Sequence, residues 1–185
     1  MAEVVLFHHG QGLTEGCKAF AEELRTAGHV VHLPDLYEGR VFATLPEGME
    51  HVRGIGFGEI LERGRHAVEG LPEEIVYAGL SLGVLPAQML AQTRPGAQGA
   101  VLMHAAVPLE EFGGTWPQGV PLQIHTMQDD ELGDVDVARA IGAQVPEAEV
   151  FLHPGDRHLF TDRSLADYDE PVAKRVTELV LEFLR

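Results

Sequence analysis

The chain has 185 residues, with 29 acidic against 13 basic side chains and a formal net charge of -16. An acidic surface of this kind repels nucleic acid and anionic membranes, which excludes both as expected partners. An apolar content of 45% suits one core-forming domain over residues 1–185, and the lack of a signal pattern, of a bilayer-length apolar window and of any cysteine beyond Cys17 points to the cytoplasm.

Apolar runs of four to six residues alternate with segments of helical period. That alternation predicts a parallel sheet covered on both faces. Val4 to His8 reads as the first strand. Thr14 is placed to cap a helix in which Phe20, Ala21, Leu24 and Ala27 recur at three- and four-residue steps, with Gly28 as its stop. Val30 to Leu33 follows as a short strand ended by Pro34. Residues 38 to 57 are rich in glycine and read as an irregular excursion, with a helix from Glu59 to Glu69 after it. Ile75 to Ala78 is the central strand, and Val84 to Gln92 the helix behind it. Ala100 to His104, Leu122 to His125 and Glu149 to His153 complete the strands, with Asp134 to Val145 and Pro171 to Leu184 as the remaining helices. Repeated βα units predict a doubly wound sheet with right-handed crossovers, whose ligands bind at the carboxyl ends of the strands.

Between the central strand and its helix stands Gly79-Leu80-Ser81-Leu82-Gly83. A serine with a glycine two residues away on each side, at a strand-to-helix bend, is the nucleophile-elbow pattern. The bend is so sharp that side chains at either glycine would strike the strand or helix beside them. Ser81 and Ser164 are the only serines in the chain.

A serine hydroxyl needs a base within reach. On sheets that carry such an elbow, the acid and then the histidine follow the serine along the chain. His158, in Pro154-Gly155-Asp156-Arg157-His158-Leu159-Phe160, lies in the last strand-to-helix loop and is the candidate base; His153 ends the strand and is expected to point elsewhere. Asp129, Asp130 and Glu131 compete for the role of acid, while Asp134 reads as a helix cap. The transition-state oxygen requires two N–H donors. These are assigned to Leu82 and to Gly10 in the loop His8-His9-Gly10-Gln11-Gly12-Leu13. His9, Gln11, Phe42 and Trp116 are candidate pocket residues. His8, His9, His104, His125 and His153 gather near one rim of the sheet, but H-E-x-x-H spacing is absent and no metal site is assigned.

With Ser81 and His158 placed, the chain resembles a compact member of the dienelactone hydrolase family of α/β-hydrolases. The carriers are His8 to Thr14, Pro34-Asp35-Leu36-Tyr37-Glu38-Gly39, the elbow, His125 to Asp130, and Pro154 to Phe160. The resemblance implies the α/β-hydrolase fold and hydrolysis of a small-molecule ester or lactone through an acyl-enzyme, with no cofactor. It selects Asp130, five residues past His125, over Asp129. The chain also departs from the pattern. Ser81 stands where the founding enzymes have cysteine, His9 or a neighbour stands where they have a glutamate, and Asp162 stands where they have a substrate-binding arginine. Asp162 is expected to repel an anionic dienelactone, which leaves a neutral ester as the expected substrate. A thioesterase or amidase on the same residues, and a binding protein that kept only the scaffold, are the rival readings. A monomer or small homo-oligomer is expected.

Overall fold

The computed structural model describes residues 1–185. Six parallel strands form one sheet: β1 (Glu3–Phe7), β2 (Val30–His32), β3 (Val76–Leu80), β4 (Gly99–Met103), β5 (Leu122–Met127) and β6 (Ala148–His153). Their spatial order is β2-β1-β3-β4-β5-β6. The chain leaves β1 for one edge, then returns to the other side of β1 and continues outward. The order therefore reverses between β1 and β3, where an open sheet of this kind forms its binding crevice.

The apolar runs are continuous because each strand is covered on both faces. Val4 and Leu6 of β1, Val76 and Ala78 of β3 and Val101 of β4 pack with Phe20, Leu24, Val176 and Val180. Those four residues belong to α1 (Glu15–Thr26) and α6 (Glu170–Phe183). The alternate residues Val5, Phe7, Tyr77 and Leu102 pack on the opposite face with Val52, Ile60, Met89 and Ile141. They meet α2 (Leu45–Ile55), α3 (Phe57–Ala67), α4 (Val84–Thr93) and α5 (Val135–Gln144).

Two sequence expectations need correction here. Residues 38 to 57 are not irregular throughout, since 45 to 55 form α2. Thr44 and Glu47 make a reciprocal capping box, and Pro46 sits in the first turn. These start signals outweigh the helix-weakening glycines of the segment. Asp134 precedes α5 but its side chain caps nothing, and its backbone is left-handed, with φ 50°. Thr14, in contrast, caps α1 as expected, accepting from the Cys17 N–H.

Candidate active site

The elbow is built by backbone contact. A Cβ on Gly79 would come within 2.3 Å of the Gly83 carbonyl, and one on Gly83 within 2.3 Å of the Phe7 carbonyl. Only glycine at both positions lets the bend close against β1. Ser81 itself adopts φ 48°, a conformation that costs a non-glycine residue about 1–3 kcal/mol. After one 3₁₀ turn, Ser81–Gly83, the chain enters α4, so the Leu82 N–H lies at the positive end of a helix.

The loop after β6 brings His158 to this bend. Its Nε2 lies 2.7 Å from Ser81 Oγ, and its Nδ1 lies 2.7 Å from Asp130 Oδ2. A carboxylate only accepts, so Nδ1 must carry a proton, and in the neutral ring Nε2 is then the acceptor for the serine hydroxyl. Asp130 is nearly buried and its second oxygen accepts from the Leu132 N–H. Gly133 makes room for it, since a Cβ there would lie 2.8 Å from the carboxylate. Asp129 points outward, is exposed, and meets only the Gln128 amide. Of the three acids that spacing left open, the geometry brings Asp130 to the imidazole. His153 turns away, as expected, to pair with His125 at 3.2 Å.

Gly10 lies in the loop after β1, and its N–H bonds no protein atom. Its carbonyl accepts from the Tyr37 hydroxyl at 2.8 Å. A Cβ on Gly48 of α2 would lie 1.8 Å from that same carbonyl, so α2 presses directly on this peptide. Tyr37 and α2 were missed as supports of the site. The signals were present, in the Asp35-Leu36-Tyr37 segment and in the Thr44-to-Glu47 capping box.

The residues assigned to a substrate pocket are largely engaged elsewhere. The Gln11 amide is buried and bonds the Phe42 and Ala43 carbonyls, stitching its loop to the segment before α2. Phe42 is half-buried against Tyr37 and His51, and the Trp116 indole donates to the Val120 carbonyl at 2.7 Å. His9 is buried, at 1% exposed. Its Nε2 lies 2.7 Å from Asp162 Oδ2.

That contact corrects the argument about Asp162. Two of the three departures from the family pattern meet each other, and Asp162, 3% exposed, faces His9 rather than a substrate. Burial alone would raise the Asp162 carboxyl, but bonds from His9, Ser164 and Thr14 outweigh it and hold the group at about 2. Burial works against a charge on His9, and hydrogen bonding to Asp162 and Cys17 overcomes it and raises the imidazole. His9, Cys17 and Asp162 place ligand-type atoms within 4.8 Å of one another. A metal held there would have to break the His9–Asp162 bond. The outer rim of His158 is a different matter. A cleft of about 430 Å³ beside it is lined, besides Asp130, by Asp129, Glu131, Asp156 and Asp167, with the Arg157 guanidinium among them.

This parallel six-stranded sheet flanked by helices is shared with α/β-hydrolases of known structure. A dienelactone hydrolase-like promiscuous phosphotriesterase from metagenomic libraries superposes with a TM-score of 0.77 at 19% identity, covering 100% of this chain and 85% of that one. Dienelactone hydrolase from Anabaena variabilis gives 0.71 at 21% identity, covering 100% and 88%. The RedJ thioesterase of the prodiginine pathway of Streptomyces coelicolor gives 0.66 at 13%, covering 98% and 85%. No curated protein sequence matches significantly. The dienelactone hydrolase family model matches residues 1–185, and the chain belongs to that family. It is a hydrolase by family, and none of its helices is long and apolar enough to cross a membrane.

Proposed function

We propose that this hydrolase cleaves a neutral carboxylic ester or lactone through a serine acyl-enzyme. The reading is carried by one observation: Ser81, on its strained bend, shares a 2.7 Å hydrogen bond with an imidazole whose other nitrogen is held by Asp130. In the proposed cycle Ser81 Oγ attacks the acyl carbon while His158 Nε2 takes its proton. Asp130 fixes the imidazole tautomer and stabilises the cation that forms. The Gly10 and Leu82 N–H groups stabilise the oxyanion. His158 then protonates the leaving alkoxide; in the second half it deprotonates a water whose oxygen attacks the acyl carbon, and the bond to Ser81 Oγ breaks to release the acid as His158 returns the proton to Oγ.

The preference for a neutral substrate rests on the acidic cleft beside His158 rather than on Asp162, which His9 already satisfies. Four carboxylates on one rim, in addition to Asp130, repel an anionic substrate and suit a neutral or cationic one. Thioester and amide cleavage use the same groups in the same order, and a relative of this fold is a thioesterase, so matched ester, thioester and amide substrates belong in one assay. Pre-steady-state kinetics on p-nitrophenyl acetate tests the reading. A burst of p-nitrophenol equal to the enzyme concentration is expected, and a Ser81→Ala protein that keeps the burst would refute it.

A further inference from the structure

The loop that carries Gly10 begins at His9 and ends at Thr14, and both residues bond the same carboxylate oxygen, Asp162 Oδ2. Asp162 lies four residues past His158, on the loop that carries the base. Resting on the reading above, we propose that Asp162 and His9 are positioning residues. They clamp the oxyanion loop to the base loop, so that the Gly10 N–H and the His158 imidazole hold one register on the reacting carbonyl.

The clamp is built from both sides. On the base loop, the Ser164 hydroxyl and N–H both donate to Asp162 Oδ1, at 2.6 and 2.9 Å. On the other side the carboxylate is seated at the N-terminus of α1, whose positive end favours it. Gly16 leaves the space: a Cβ there would fall 1.6 Å from Asp162 Oδ1. The His9 ring is shared between the two loops. Nε2 points to Asp162, while Nδ1 accepts from the Gln11 N–H at 3.2 Å and closes the turn around Gly10. The carboxylate favours a second proton on this ring and the Gln11 N–H opposes it; the Nε2–H···Oδ2 bond is made in either state. Thr161, next to Asp162, is anchored separately by His104 Nε2 at 2.7 Å. The base loop is thus pinned at two adjacent residues, and one pin runs directly to the peptide that supplies the oxyanion donor.

A residue that only stabilised the fold would change melting temperature and leave turnover per folded molecule alone. A positioning pair acts on the transition state, so its loss falls on kcat. With p-nitrophenyl acetate, His9→Ala and Asp162→Ala are each expected to lower kcat by about 10²-fold with KM within about twofold. His9→Gln, which keeps an N–H near the Nε2 position, should recover most of the loss, and it serves where the alanine variants do not fold. The double variant should be no slower than the worse single, since the two act as one unit. Folded variants with wild-type kcat, or losses that multiply in the double variant, overturn the proposal. Amide hydrogen exchange separates this result from the hydrolase reading. A wild type with no Ser81-dependent turnover refutes that reading, while exchange at residues 9–12 that rises in the Asp162 variant sustains the clamp and unchanged exchange sinks it.

Discussion

At Ser81 a single backbone conformation decides what the side chain can do. With φ 48° the residue stands off the sheet, and the glycines on either side are required by contacts under 2.5 Å rather than by flexibility. Gly83→Ala should therefore destabilise the fold by roughly 1–3 kcal/mol or more through overpacking against Phe7, read as a lowered urea midpoint. The elbow was legible because its cause is local: three residues, two glycines and a serine, at fixed spacing specify the bend. The choice between Asp129 and Asp130 was not legible from spacing alone. It depends on the turn from Met127 to Gly133, in which the Asp130 N–H bonds the Met127 carbonyl and its carboxylate swings inward. Asp130→Asn is expected to cut turnover by about 10⁴-fold through loss of the correct tautomer, with the melting curve little changed. Asp129→Asn should stay close to wild type. Equal losses in both variants would remove the geometric assignment.

Helix α2 shows where element-scale reading went astray. Its glycines read as marks of a loop, yet Gly48 is where the helix must touch the Gly10 carbonyl. A glycine demanded by a tertiary contact looks, in sequence, the same as one demanded by a turn. Gly48→Ala and Gly54→Ala separate the two roles within one helix. The first drives a Cβ into the oxyanion loop and should lower kcat by about 10²-fold. The second meets nothing within 4 Å and should leave activity alone while stabilising the helix by about 0.5–1 kcal/mol. Similar activity in the two variants would argue against α2 as a support of the site. The six strands and the other helices were readable because their apolar periods alternate cleanly. The His9–Asp162 contact was not, because it joins residues 153 positions apart and depends on both loops being folded.

Over the whole molecule the histidines set an unusual sensitivity to acid. Burial holds His8 down at about 4 and His125 at about 3, the latter also facing His153; burial and the neighbouring His158 hold His104 well below the ordinary range. Each of these rings takes up its proton only on unfolding. The unfolded chain thus binds more protons below pH 6.5, and stability falls as pH drops from about 6.5 towards the folded-state values. Each unit of separation is worth about 1.4 kcal/mol, so the loss should reach several kcal/mol by pH 4. Relief of the repulsion from a net charge of -16 opposes this trend without local partners to match it. Urea midpoints from pH 7.5 to 4.5 should show the decline, and His125→Asn should flatten it.

The chemistry of the whole protein returns to one oxygen atom. The most direct measurement is the mass of the intact protein after reaction with a fluorophosphonate, with the adduct mapped to its residue. The account predicts one adduct per chain, on Ser81, formed much more slowly in His158→Ala and not at all in Ser81→Ala. No adduct on the folded wild type, or one that maps to Ser164 instead, would contradict it.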